Sequence, residues 1–168
     1  MSSSYCNLLY HIVFATKGRE PWLTAAIRPR IHQYLGGAIR KENGIALVVN
    51  GPADHVHILA KVRQDKALSK LIGELKANSS GWISRTFPEV AGFAWQEGYG
   101  AFTVSESQVP KVRRYIETQE EHHRTVSFLE ELKGDIFERV AFSVTPFQGF
   151  AVLLGTFTRS FAPLHSGL

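Results

Sequence analysis

Strand-like and helix-like segments alternate along the first 132 residues, and their order is the strongest constraint on the fold. Short runs rich in β-branched and aromatic residues predict strands, whereas apolar residues at three- and four-residue spacing predict amphipathic helices. The predicted elements are a strand at Leu8 to Phe14, a helix at Ala25 to Lys41, strands at Ile45 to Val49 and His55 to Val62, a helix at Asp65 to Ser84, a short strand pair at Phe93 to Gln96 and Tyr99 to Val104, and a long helix from Val109 to about Leu132.

This order, β-α-β-β-α-β(β)-α, predicts an α+β fold of the ferredoxin-like (RRM-like) sandwich type. The turn Asn50-Gly51-Pro52 joins its neighbouring strands directly, which predicts that these two strands are antiparallel. For the whole fold we expect an antiparallel sheet with helices on one face. Residues 1–133 are predicted to form one domain. Residues 134–168 are rich in Phe, Gly, Ser and Thr and poor in charge, which predicts an atypical C-terminal extension or tail.

Composition narrows the functional classes. The formal charge of +4 and the pI near 9.3 permit a polyanionic partner without requiring one. A single cysteine, Cys6, excludes a disulfide framework and any multi-cysteine zinc site. Pro146, Gln148, Gly149 and Gly155 interrupt the most apolar run, Val140 to Thr158, so we expect no membrane span and a cytoplasmic protein.

A histidine pair on the third predicted strand is the first chemical signal. His55 and His57 are separated by one residue, so a strand directs both imidazoles to the same sheet face. Such a pair forms half of a site for a divalent metal. On this feature alone, two strand histidines that make their own hydrogen bonds are the favoured interpretation.

The second signal lies on the last predicted helix, where Tyr115 and Gln119 are four residues apart and therefore on one face. A tyrosine can attack a phosphodiester if it is activated, and a metal that polarises the phosphate oxygens assists this. Gln119 could supply a third ligand, with His123 as the alternative, and such a donor set suits Mg²⁺ or Mn²⁺. An amphipathic helix whose tyrosine packs in the core is the other interpretation.

Taken together, these segments resemble the single-tyrosine HUH transposases of the insertion-sequence-200 type and their REP-associated relatives. The resemblance covers residues 7–131. Its motifs are YHIVFATK (Tyr10 to Lys17), DHVHIL (Asp54 to Leu59), LSKLIGELKANSS (Leu68 to Ser80), WQEGYGAFTVS (Trp95 to Ser105) and YIETQEEHHRTVSF (Tyr115 to Phe128).

The resemblance implies a metal-dependent transposase that cuts and rejoins single-stranded DNA through a 5′-phosphotyrosine intermediate. It implies Tyr115 as the nucleophile and His55, His57 and Gln119 as ligands of Mg²⁺ or Mn²⁺. It also implies recognition of DNA hairpins and of the single strand beside them, and a homodimer. Residues 134–168 depart from the family's usual ending, as a lineage-specific extension or as out-of-frame sequence would.

Basic and aromatic residues are the candidates for contacts to DNA. Phosphate contacts are expected from Lys17, Arg19, Lys76, Arg113 and Arg114. Three aromatic residues could stack on unpaired bases, although core packing is the stronger expectation for the two tryptophans: Trp82, Trp95 and Tyr99.

Other functions remain open at this point. A domesticated or decayed relative would bind hairpin DNA without cutting it. An RRM-like RNA-binding module predicts exposed aromatic residues on the central strands, where this chain instead has His55 and His57. A small metal hydrolase would need a further carboxylate ligand or a general base near the histidine pair, and none is evident in the sequence.

Overall fold

A four-stranded antiparallel sheet forms the centre of the fold. The structure is a computed structural model that describes residues 5–119. The strands are β1 (Leu8–Ala15), β2 (Ile45–Asn50), β3 (His55–Val62) and β4 (Gly100–Thr103), in the spatial order β2-β3-β1-β4. β1 pairs with both β3 and β4, so it lies inside the sheet, as its nearly complete burial requires.

Two helices cover one face of this sheet: α1 (Arg28–Lys41) and α2 (Leu68–Thr86). Their apolar stripes pack on the even-numbered positions of β1 and β3. The resulting core includes Ile12, Phe14 and Ile58 from the strands, with Leu35 and Ile72 from the helices. The predicted ferredoxin-like α+β fold is therefore confirmed.

A third helix, α3 (Val109–Glu117), packs against the opposite face. Leu9 and Leu59 point to this face because side chains alternate along a strand, and they contact Val112 and Ile116 of the helix. The prediction that helices lie on one face holds for α1 and α2, whereas α3 lies on the other face. This position of α3 matters because the helix covers the histidine pair of β3.

The last predicted helix is interrupted at Thr118. α3 ends at Glu117, Gln119 is again helical, and the Thr118 hydroxyl donates to the carbonyl oxygen of Arg114 at 3.0 Å. A hydroxyl bonded to the preceding turn weakens a helix locally and can bend it. The rest of the predicted helix, its candidate ligand His123, the predicted boundary at residue 133 and the tail at 134–168 lie outside the described residues.

The predicted strand at Phe93 to Gln96 is wrong. Only Trp95 makes a bridge, to Thr16, and β4 pairs with β1 instead of with this segment. Trp95 is drawn into the core, where its ring packs edge-on against Phe14 at 4.8 Å and its indole N–H donates to Ser79 at 2.8 Å. These tertiary contacts outweigh the local preference for a hairpin.

The turn between β2 and β3 requires a glycine. A Cβ atom at Gly51 would lie 2.4 Å from the carbonyl oxygen of His55 and 2.9 Å from the Cα atom of Val56. Only a residue without a side chain allows the turn to pass this close to the start of β3. Within residues 5–119, no helix is both long enough and apolar enough to cross a membrane.

Candidate active site

Three histidines lie together on the sheet face that α3 covers. His55 and His57 come from β3, and His11 comes from the neighbouring strand β1. In the β1–β3 register His57 pairs with Val13 and His11 pairs with Leu59, so His11 and His57 are diagonal neighbours. All three imidazoles are buried, with exposed fractions of 0% for His11 and His55 and 2% for His57.

His55 is held by a carboxylate from the preceding residue. Its Nδ1–H donates to Oδ1 of Asp54 at 2.7 Å, and Nε of Arg19 donates to Oδ2 of the same carboxylate at 2.9 Å. Burial would raise the pKa of Asp54, but the hydrogen bonds and charges of His55 and Arg19 outweigh burial and lower the pKa to about 2. Asp54 is therefore an ionised acceptor at neutral pH.

The backbone around Arg19 is shaped to make this contact. Gly18 and Arg19 have φ angles of 65° and 59°, and a positive φ is unfavourable for a residue with a side chain. Thr16 ties the same turn to the start of β3, because its backbone N–H donates to the Asp54 carbonyl oxygen at 2.8 Å. The strained turn thus brings the guanidinium of Arg19 onto Asp54.

His57 is held by a second imidazole. Its Nδ1 lies 2.9 Å from Nε2 of His11, and the two rings are nearly parallel, with an angle of 20° and centroids 5.2 Å apart. The His55 and His57 rings meet at 66° with centroids 4.9 Å apart. The Nδ1 atom of each β3 histidine therefore contacts a neighbouring side chain, Asp54 for His55 and His11 for His57.

Tyr115 of α3 lies against this group of histidines. Its ring contacts the rings of His57 and His11 edge-on, with centroid distances of 5.9 Å and 6.0 Å. The Tyr115 side chain is half-buried, so part of it remains accessible to solvent. The structure thus brings together the predicted nucleophile and the predicted histidine ligands within one chain.

Two sets of contacts fix the position of Tyr115. Val112 and Ile116, which flank it on the helix, insert into the apolar cluster with Leu59. At the end of β2, the Asn50 side-chain amide donates to the carbonyl oxygens of Ile116 at 2.8 Å and Glu117 at 3.2 Å. Both carbonyls belong to the last turn of α3, so Asn50 caps the C-terminal end of this helix.

The donors available to a metal are imidazole nitrogens and one amide oxygen. Gln119 follows the end of α3 and is fully buried. Nε2 of His55, Nε2 of His57 and Oε1 of Gln119 are all shielded from solvent. Among residues 5–119, no group of three His, Cys, Asp or Glu side chains is arranged as a metal site, so a third ligand from this part of the chain would be of another type, such as the Gln119 amide. Neutral nitrogen and oxygen donors of this kind fit a hard or borderline divalent cation.

The predicted DNA-contacting residues are dispersed. Lys17, Arg113 and Arg114 are exposed, and Arg113 forms an ion pair with Glu117 at 2.9 Å. Arg19 is bound to Asp54, as described above. The half-buried ammonium of Lys76 donates to the carbonyl oxygens of Gln96 and, at 2.8 Å, Gly98, and burial lowers its pKa.

The aromatic candidates lie against the main core. Trp95 is buried, whereas Trp82 and Tyr99 are partly buried at its periphery. Trp82 stacks on Tyr34 of α1, with centroids 4.3 Å apart and an angle of 14°.

Two features of the site were missed by sequence reasoning. Neither the carboxylate of Asp54 as the acceptor for His55 nor the contact of His11 with His57 was predicted. A signal for His11 existed, because an antiparallel pairing of YHIVF with HVHIL places it on the same face as His57. The signal becomes usable only once the register of the two strands is known.

Known proteins are similar to this chain in both sequence and fold. The family described as "Transposase IS200 like" matches residues 4–119. The ISDra2 transposase TnpA of Deinococcus radiodurans is 26% identical over 119 residues, which are 67% of this chain and 84% of the relative. The transposase for insertion sequence element IS200 of Salmonella typhimurium is 28% identical over 123 residues, 70% of this chain and 80% of the relative.

Two solved structures have the same fold. A candidate transposase from Deinococcus radiodurans superposes with a TM-score of 0.59 and 23% identity, covering 71% of this chain and 95% of that structure. A REP-associated tyrosine transposase bound to a REP hairpin gives a TM-score of 0.55 and 12% identity, covering 75% of this chain and 74% of that structure. The family match spans the whole sheet, all three helices and the site built around His57, and the resemblance inferred from the motifs is thereby confirmed: the chain belongs to the IS200-like transposase family.

Proposed function

We propose that this transposase cleaves and rejoins single-stranded DNA through a covalent 5′-phosphotyrosine at Tyr115. The observation that carries the proposal is the edge-on contact between the Tyr115 and His57 rings, whose centroids are 5.9 Å apart beside the apolar cluster through which α3 packs on the sheet. A tyrosine needed only for packing has no reason to meet two buried imidazoles. Membership of the transposase family independently favours a DNA-processing enzyme.

In the proposed reaction the Tyr115 hydroxyl loses its proton and its oxygen forms a bond to phosphorus. The bond between phosphorus and the O3′ atom of the preceding nucleotide breaks, and this oxygen takes up a proton to become a 3′-hydroxyl. Rejoining is the reverse reaction with a second 3′-hydroxyl as the attacking group. The phosphotyrosine ester retains the energy of the phosphodiester, so no nucleotide cofactor is needed.

His55, His57 and Gln119 would hold a divalent cation, Mg²⁺ or Mn²⁺. When bound, the cation polarises the phosphate oxygens and stabilises the negative charge that develops on them. The chain's own residues set the geometry: Asn50 and the apolar cluster hold the helix of Tyr115, while Asp54 and Arg19 hold His55.

The DNA substrate is proposed to be a hairpin with an adjoining single strand. This rests on the relative that is bound to a REP hairpin and on the exposed basic residues Lys17, Arg113 and Arg114. A homodimer is proposed from the family resemblance.

The test uses labelled single-stranded oligonucleotides from the flanks of the gene that encodes this chain, incubated with protein and Mn²⁺ and separated on a denaturing gel. We expect a covalent protein–DNA band that is lost in Tyr115→Phe and in His57→Ala. Tyr34→Phe is the matched control, because Tyr34 is also a half-buried helix tyrosine but packs against Trp82 on the other side of the sheet.

Retarded hairpin DNA without a covalent band, in the wild-type protein with Mn²⁺, would refute the enzyme and favour the non-catalytic hairpin-binding protein. A covalent band that persists in Tyr115→Phe would refute the assignment of the nucleophile.

A further inference from the structure

The third buried histidine of the site, His11, is not used by the proposed reaction. Its imidazole is fully buried, and its Nε2 atom lies 2.9 Å from Nδ1 of His57. Burying an imidazole is unfavourable unless its polar atoms find partners, so this contact needs an explanation beyond packing.

A hydrogen bond between two neutral imidazoles has two possible directions. Either Nδ1–H of His57 donates to Nε2 of His11, or Nε2–H of His11 donates to Nδ1 of His57. In the first arrangement Nε2 of His57 carries a lone pair. In the second arrangement Nε2 of His57 carries a proton and cannot bind a metal.

The neighbouring ligand has no such choice. Asp54 is an ionised carboxylate and can only accept, so the 2.7 Å contact requires that Nδ1 of His55 carry a proton. In the neutral imidazole, Nε2 of His55 therefore carries the lone pair. A metal site formed by both histidines requires that His57 be held in the same tautomer.

We propose that His11 is a positioning residue that accepts a hydrogen bond from Nδ1–H of His57 and thereby leaves Nε2 of His57 available as a metal ligand. The inference rests on the proposed function, since it assigns a role at the same metal site. The pairing of a ligand histidine with a neighbouring acceptor fixes both the tautomer and the ring orientation. Here a carboxylate performs this task for His55 and an imidazole performs it for His57.

His11 also connects the ligand to the nucleophile. Its ring meets the Tyr115 ring edge-on at 6.0 Å and is nearly parallel to the ring of His57. The same side chain therefore sets the orientation of His57 and supports the ring of Tyr115, which makes its shape as well as its acceptor nitrogen important.

The first test reads the tautomers in the metal-free, full-length protein by two-bond ¹H–¹⁵N correlation spectra of ¹⁵N-labelled histidines. The seven histidines are assigned with single His→Gln variants. We expect His55 and His57 both to carry the proton on Nδ1. A proton on Nε2 of His57 would overturn the proposal, whatever the protein does to DNA.

The second test compares His11→Gln with His11→Leu. The Gln side chain can offer an oxygen near the position of the histidine Nε2, whereas Leu has a similar volume and no acceptor. Mn²⁺ affinity is measured from the electron paramagnetic resonance signal of free Mn²⁺. Loss of such a partner typically weakens metal binding by about 10–100-fold, so we expect this for His11→Leu and near wild-type affinity for His11→Gln.

His55 provides an internal comparison. In His11→Leu its signals should keep the Nδ1–H pattern, because Asp54 is unchanged, while the pattern of His57 changes. Equal Mn²⁺ affinities in His11→Leu and the wild type would overturn the proposal. If His11→Leu does not fold, the wild-type spectrum and the affinity of His11→Gln still decide the question.

Failure of the proposed function gives a different result. A wild-type protein that fails to bind Mn²⁺ but shows His57 protonated at Nδ1 would overturn the metal site of the proposed reaction and support the assigned direction of the His11–His57 hydrogen bond.

Discussion

The cap that Asn50 places on α3 gives the sharpest test of how the nucleophile is positioned. Its side-chain amide donates to the carbonyl oxygens of Ile116 and Glu117, the two residues that directly follow Tyr115. An Asn50→Asp substitution keeps the shape of this side chain but replaces its two donors with a carboxylate that only accepts. The new negative charge also faces the negative end of the helix dipole.

The magnitude follows from these two contacts. Each neutral hydrogen bond contributes a net of about 1 kcal/mol, so Asn50→Ala should lower the free energy of unfolding by about 1–2 kcal/mol. In Asn50→Asp both bonds are lost and repulsion at the helix end adds about 0.5–1 kcal/mol, for a total of about 2–3 kcal/mol.

The assay is urea unfolding at neutral pH followed by tryptophan fluorescence, together with the rate at which the covalent protein–DNA band forms. Asn78→Asp is the matched control, because it introduces the same charge at an exposed position inside α2. We expect Asn50→Asp to be less stable than Asn50→Ala. We also expect it to form the covalent band more slowly, because the end of the helix that carries Tyr115 is no longer held by hydrogen bonds from residue 50. Wild-type stability in Asn50→Asp would refute the capping role.

Three further predictions concern other parts of the fold. Burial, together with the charge of Arg28, lowers the pKa of His32 to about 4, below the 6.5 of an unperturbed histidine. The unfolded chain therefore binds more protons at His32 between these values, and this group should lower stability by up to about 3 kcal/mol as the pH drops from 6.5 to 4. His32→Gln should remove this contribution and leave a shallower slope in pH-dependent urea titrations. Gly51→Ala should destabilise the protein by more than about 1 kcal/mol and weaken Mn²⁺ binding, because its Cβ atom would displace the start of β3 at His55; unchanged thermal unfolding and Mn²⁺ affinity would contradict this. Lys76→Met should reduce stability by about 1–3 kcal/mol, since Lys76 bonds two loop carbonyls, and leave the salt dependence of DNA binding unchanged; a shallower salt dependence would instead support the phosphate contact expected from the sequence.

The local pattern of the sequence was sufficient to predict most elements. The bounds of β3 agree with the predicted strand His55 to Val62. A segment that is buried on both faces and begins after a glycine turn has few other conformations open to it. α1 begins at Arg28, three residues later than predicted, because its start depends on how Ile27 and Leu23 enter the core.

The sequence by itself determined the order of elements, the ferredoxin-like fold and the family, because these depend on periodicity, turn residues and motifs that neighbouring residues encode. It also placed His55 and His57 on one face. Only the tertiary structure decided that Trp95 enters the core, that α3 lies on the opposite face, and that His11 meets His57 and Tyr115. Those outcomes depend on strand register and helix packing, which bring together residues far apart in the chain, such as His11 and His57 at 46 positions, and which no local pattern specifies.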